Sequence, residues 1–184
     1  MDCLHQVWAL VILDAEGQRV FGKYYNSVVT GEPSKWASVD AQRNFEKALH
    51  NKTRTAIGAQ TDAETVLIYE GATIVYVVDP ELSFFVIGPN DENELVLNAV
   101  LTCVYEGMQM VLKTTQALDK RQLLEAYDAL LLVVDETIDD GIVFETNPAS
   151  VAGEVSPFAI PDNQAADQAK KAIRSFKGFL ERNT

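Results

Sequence analysis

Residues 73–112 constrain this chain most, because two apolar strands there run straight into a long apolar helix. Thr73–Val78 and Leu82–Ile87 are β-branched and aromatic, and Asp79-Pro80-Glu81 between them has the spacing of a tight hairpin. Gly88-Pro89-Asn90 breaks the second strand. Asp91 is placed to cap the following helix, with Glu94 three residues on to complete a capping box. From there to Leu112, the residues Leu97, Val100, Leu101, Val104, Met108 and Val111 recur at helical steps, and Leu95, Ala99 and Cys103 widen the stripe. A helix apolar over so much of its circumference is either sandwiched inside the domain or covered by another protein.

The rest of the chain supplies the elements to pack around that stretch. Gln6–Leu13 and Arg19–Tyr25 read as a hairpin turned at Asp14-Ala15-Glu16-Gly17. A loop over 26–38 precedes a helix that starts at Ser38 or Asp40 and runs to about Asn51, with Phe45, Ala48 and Leu49 inward. Thr65–Glu70 is a third strand. After the long helix, Leu118–Asp119 opens another, with Leu123, Tyr127, Leu130, Val134 and Ile138 on one stripe and Gly141 as its stop. Asn147 caps a brief further turn. The order β-β-α-β-β-β-α-α predicts an α+β domain with an antiparallel sheet flanked by helices.

At 184 residues the chain has room for one domain and a short appendage. The predicted division is a body over 1–156, a linker over 157–161 marked by Pro157 and Pro161, and an amphipathic helix over 162–184. That last segment carries five basic and three acidic residues in Asp162–Arg182, against a chain total of −12. Its basic side suits docking onto its own acidic body, or an anionic membrane or partner.

Charge also excludes function classes. A net −12 argues against nucleic acid, which needs clustered Lys and Arg to displace counterions. Between Arg54 and Lys113 there is no basic residue at all, but nine carboxylates, which suits solubility or a basic protein partner. Two distant cysteines, Cys3 and Cys103, predict a reduced, cytosolic chain. The N-terminus has no basic n-region, so no signal peptide is expected, and no run approaches a membrane span.

The search for chemistry is largely negative. His5 and His50 stand apart from any nucleophile motif, and phosphate-loop, dinucleotide and metalloprotease motifs are absent. Asp135-Glu136 with Asp139-Asp140 is the sharpest cluster, conceivable as a magnesium site. A solvated helix end or a protein contact is the simpler reading. No catalytic, cofactor or metal residue is therefore assigned. Tyr24-Tyr25 point to opposite faces of their strand, one toward the core and one toward solvent or a partner, with core packing the default for both. Two helices with surplus apolar surface point to a permanent partner. The candidate partner-binding residues are Tyr24, Tyr25, Leu95, Ala99, Leu123, Leu124 and Tyr127.

Ile74-Val75-Tyr76-Val77, four residues, then Leu82-Ser83-Phe84 resembles the signature of the small chains of clathrin-type adaptor and coatomer complexes. Val77 stands where that signature has a basic residue and Ser83 where it has Tyr. Phe21-Gly22-Lys23-Tyr24-Tyr25, Phe45-Glu46-Lys47, Asn51-Lys52-Thr53, Glu92-Asn93-Glu94-Leu95, Ala99-Val100-Leu101 and Val134-Asp135-Glu136 resemble the family's coatomer zeta branch across roughly residues 6–146. The 31–37 loop looks like an insertion. The resemblance implies a longin-like fold, a five-stranded antiparallel sheet with one helix on one face and two on the other. It implies a non-enzymatic COPI coat subunit bound to the coatomer gamma subunit and, through the complex, to other coatomer subunits and the ADP-ribosylation factor GTPase. Cytoplasmic location, peripheral on Golgi membranes and COPI vesicles in retrograde and intra-Golgi traffic, is implied with it. Cargo binding is not carried over, because Arg121–Ala126 lacks the family's polar anchor. The alternative is a longin domain of another adaptor or tethering complex.

Overall fold

The computed structural model describes residues 4–25, 35–56 and 65–159. The C-terminal helix predicted over 162–184, the end of the 157–161 linker, most of the 26–38 loop and Cys3 lie outside them.

β1 (Ala9–Asp14) and β2 (Arg19–Tyr24) form the expected hairpin, followed by α1 (Val39–Ala56) and β3 (Thr65–Tyr69). β4 (Ala72–Val78) and β5 (Leu82–Pro89) form the central hairpin and lead into α2 (Glu94–Leu112). The five strands make one antiparallel sheet in the order β2-β1-β5-β4-β3. β1 lies beside β5, with Ala9 opposite Ile87 and Asp14 opposite Leu82. Every residue of β1 and the first seven of β5 are buried, because both faces of the sheet are covered.

Strand alternation separates two cores. Ala9, Val11, Ile74, Phe85 and Ile87 face α1, meeting Phe45, Leu49 and Trp36. Leu10, Ile12, Val75, Phe84 and Val86 face the other helices, meeting Leu97, Leu101, Val104 and Met108 of α2. α2 does reach the length and composition of a membrane-crossing helix, contrary to expectation. Its hydropathy is explained by packing: one arc meets the sheet and the adjoining arc meets α4 (Tyr127–Thr137) and α5 (Pro148–Val155).

The helix ends depart from the sequence pattern in four places, the first being α1, which runs on to Ala56 rather than ending near Asn51. The cap of α2 is Asn93, whose side chain accepts from the Leu95 amide at 2.9 Å, rather than Asp91 with Glu94. Glu92 is instead drawn to the N-terminal segment, accepting from the Gln6 amide at 2.8 Å and facing His5 Nδ1 at 2.9 Å. The helix predicted from Leu118 is two helices, α3 (Lys120–Glu125) and α4, broken at Ala126 (φ −111°, ψ 33°). Its stripe nonetheless survives, with Leu123, Leu130, Val134 and Ile138 all buried. Gly141 does not stop a helix. It turns the short hairpin of β6 (Ile138–Asp139) and β7 (Ile142–Val143) at φ 87°. A Cβ there would lie 2.9 Å from Tyr25 Cβ and 3.0 Å from the Val7 carbonyl, so glycine is required.

Candidate partner-binding surface

The seven residues singled out by sequence do not form one surface. Tyr25 is buried, with Lys23 Nζ 5.2 Å from its ring centre and no hydrogen-bond partner for its hydroxyl among the described residues. Burial, helped by the negative charges of Asp135 and Asp140, pushes that hydroxyl well above the ordinary tyrosine range. Leu123 is likewise fully buried. These two are corrections: they hold the core beneath α3 and the β6–β7 hairpin, and neither offers side-chain area to a partner.

Tyr24 lies on the other side of the sheet, also not exposed. Its ring packs 5.9 Å from Trp36 and its hydroxyl donates to Glu46 at 2.7 Å. Glu46 is itself buried and paired with Arg19 at 2.6 Å, while Arg19 also donates to Gln42. Burial and the Glu46 carboxylate together push the Tyr24 hydroxyl far up. Hence Tyr24 is a lock between β2 and α1. Of the Tyr24-Tyr25 pair, Tyr25 is the core member, while Tyr24 is half-buried with its hydroxyl committed to Glu46.

The remaining four are accessible. Leu95, in the first turn of α2, is 71% exposed, and half-buried Ala99 follows one turn on. Leu124 is 49% exposed on α3, and Tyr127 is half-buried with its ring 6.1 Å from Phe21. Sequence reasoning missed Leu131 and Leu132, which are exposed on α4. They sit inside the continuous run Ala129–Val134, where period alone distinguishes them: Leu130, Val133 and Val134 point inward and the two between do not. Phe144 and Phe158, at 72% and 77% exposed, carried no periodic signal because they lie beyond element ends. Thus the accessible apolar side chains of α2, α3 and α4 all lie on the layer that covers one face of the sheet.

The acidic cluster is dispersed. Asp135 ends α4 and pairs with Lys23, whereas Asp139 belongs to β6 and Asp140 turns the hairpin at φ 45°. Asp135 and Asp139 therefore do not stack along a helix as the spacing predicted. Among the described residues, no three His, Cys, Asp or Glu side chains converge as metal ligands. Two other carboxylates are structural. Asp14 is buried and accepts from the Gln18 amide at 2.8 Å and Lys120 Nζ at 2.7 Å. Burial alone would raise its pKa, but Lys120 and the turn amides hold the carboxyl below its usual range. Glu92 is held down in the same way, burial being outweighed by the Gln6 amide and His5.

With this geometry in place, comparison with known proteins is decisive. The family model described as clathrin adaptor complex small chain matches residues 6–159. The chain belongs to the clathrin adaptor complex small chain family. Among family members it is similar to coatomer subunit zeta-1 of Homo sapiens, 40% identical over 153 residues, covering 83% of this chain and 78% of that one. It is similar also to coatomer subunit zeta-1 of Arabidopsis thaliana, 36% identical with 95% of each chain covered. Coatomer subunit zeta of Saccharomyces cerevisiae is 31% identical, covering 97% and 92%. A chain of a homology model of the full-length AP-3 complex in a stretched open conformation shares the fold, with TM-score 0.57 and 17% identity over 90% of this chain and 98% of that one. The family's small-chain, longin-like fold is therefore the fold observed: one helix on one face of the sheet, and α2 with the broken α3–α4 helix on the other, joined there by α5.

Proposed function

We propose that this chain is the non-enzymatic small subunit of the COPI coat, pairing stably with the coatomer gamma subunit in retrograde Golgi-to-ER and intra-Golgi transport. The observation that carries the reading is its similarity to coatomer zeta subunits of animal, plant and yeast over nearly the whole chain. The accessible apolar residues Leu95, Leu124, Leu131 and Leu132 support it, because exposed leucines on a packed helical layer are what a permanent protein partner would cover. In this reading Leu95, Ala99, Leu124 and Tyr127, joined by Leu131 and Leu132, contribute to the partner surface. Contact with the ADP-ribosylation factor GTPase comes through the assembled coat, which holds the subunit peripherally on Golgi membranes from the cytoplasm.

Co-expression with coatomer gamma, followed by size-exclusion chromatography with light scattering, tests it. A 1:1 complex that survives high salt is expected, since apolar burial is insensitive to screening. Leu131→Ser/Leu132→Ser should weaken that complex while leaving the free subunit folded. A monodisperse monomer with no affinity for gamma would overturn the assignment.

A further inference from the structure

We propose that the solvent face of α1 is a docking surface for an anionic phospholipid bilayer. This goes beyond pairing with a coat subunit and concerns the opposite side of the sheet.

Charge is segregated across this molecule. α1 carries Arg43, Lys47, Lys52 and Arg54 against Asp40 and Glu46, and Glu46 is buried in its pair with Arg19. Only Asp40, in the first turn, opposes the four cations from the outside. Arg43, Lys47 and Arg54 are exposed and have no carboxylate partner among the described residues, while Lys52 lies 4.5 Å over the Tyr69 ring. Arg43 to Arg54 spans about 16 Å along the helix. Beside Arg43 and Lys47, a cleft of about 370 Å³ opens against the β1–β2 turn, with Arg19 and its partner Glu46 in its wall, so that Arg43 and Lys47 are the cations left to face an anion there. That leaves room for a headgroup phosphate between cations. The margins are not purely basic, because Glu16 and Glu70 are exposed on the neighbouring turns.

The opposite layer is acidic. α2 and α4 carry Glu94, Glu106, Asp128, Asp135 and Glu136 and no Lys or Arg, and the two cations of α3, Lys120 and Arg121, are paired with Asp14 and Glu125. Those charges lie across the sheet and a helix layer, roughly 20 Å away at about 10 Å per packed layer. The Debye length at physiological salt is about 8 Å, so the net negative charge does not cancel attraction felt at α1. Apolar content separates a bilayer from a protein as the occupant. Beyond Val39 at its start, α1 exposes no large hydrophobic side chain among the described residues. A protein interface centres on aromatic or Arg anchors sealed from water by packed neighbours, and with no other large apolar side chain of α1 exposed around them Arg43 and Arg54 lack that seal, whereas a headgroup layer needs only clustered cations.

The test is flotation of the full chain with phosphatidylcholine vesicles containing phosphatidylserine, against vesicles of phosphatidylcholine alone. Binding is expected only to the anionic vesicles and should fall as salt rises. Arg43→Gln/Lys47→Gln/Arg54→Gln should reduce partitioning by roughly tenfold or more, taking each surface cation as worth up to about 1 kcal/mol. A control, Lys170→Gln/Lys171→Gln/Arg174→Gln/Lys177→Gln, should retain most of the binding. If this control abolishes binding and the α1 variant does not, the C-terminal segment is the membrane contact and the proposal fails. It fails equally if wild type ignores anionic vesicles, or if it captures poly-glutamate but no vesicle. Pairing of the α1 variant with coatomer gamma is read separately. Pairing should persist, and its loss would place α1 in the protein interface and overturn the bilayer reading.

Discussion

The two faces of the sheet are built from different materials. On the α1 face the contacts are aromatic: Trp36 stands 4.4 Å from Phe45, 5.9 Å from Tyr24 and 6.2 Å from Trp8. Cations cap that cluster, with Lys35 4.8 Å from the Trp8 ring centre and Arg19 5.5 Å from Tyr24. The opposite face is mainly aliphatic, made by Leu, Val and Met of α2, α4 and α5 closing on one another as well as on the sheet, with two separate ring pairs among them, Phe84 with Tyr105 at 5.2 Å and Phe21 with Tyr127 at 6.1 Å. A single helix has no neighbours to pack against, so α1 needs large rings and the buried Arg19–Glu46–Tyr24 network to hold its position. Three helices supply one another with contacts and can use small, interchangeable aliphatics. The difference shows why most of the exposed apolar side chains of the helices, Val39 of α1 apart, collect on one side.

Substitutions in each core sharpen that contrast. Phe45→Ala should cost most, about 4 kcal/mol in urea unfolding, because the ring is buried between Trp36 and Tyr69 with no second helix to close the gap. Leu97→Ala, fully buried on the other face, should cost about 3 kcal/mol. The reverse order would break the claim that α1 depends on its rings more than α2 depends on any one leucine. Gly141→Ala should cost about 2 kcal/mol through the strained positive φ and the contact with Tyr25, lowering the midpoint of thermal unfolding. Glu46→Gln should cost about 1.5 kcal/mol, since Arg19 loses a charged partner while the amide oxygen still accepts from Tyr24.

The smallest effect is in acid. Asp14 and Glu92 have folded pKa values below their usual ones. Their contribution is therefore fully present above the unfolded values, about pH 4, and is lost as pH falls through the lower folded values. Urea midpoints of wild type should decline with a steeper slope below about pH 4 than those of Asp14→Asn/Glu92→Gln. Parallel curves would mean that neither carboxylate is held as the geometry indicates.

Much of this architecture was legible in the sequence because period carries it. The β-branched runs at 73–78 and 82–87, and the α2 stripe, needed only alternation and helical spacing to be read. What was not legible depended on partners distant in sequence. Asp91 and Asn93 are equally good caps locally, and the choice fell to Asn93 when Glu92 engaged His5 and Gln6, 86 or more positions away. The break at Ala126 follows no Gly or Pro and left no local mark. That Tyr25 and Leu123 are closed to a partner is not legible either, because a tyrosine on a strand or a leucine on a stripe does not reveal which neighbour covers it. The exposed pair Leu131-Leu132 was hidden in a run where every residue is apolar.

The pairing of β1 with β5 has a consequence during synthesis. Asp14 meets Leu82, and all the chain between them must be made before the centre of the sheet can close. At roughly 5–20 residues per second, the first hairpin waits several seconds for β5, although a hairpin itself forms in about 1–10 μs. Throughout that interval the inner edge of Ala-Leu-Val-Ile-Leu, with Asp14 its one charge, is an open template for another nascent strand. The strand that ends as the most protected in the molecule therefore begins as its most adhesive, and the newborn chain depends on early shielding of its first fourteen residues.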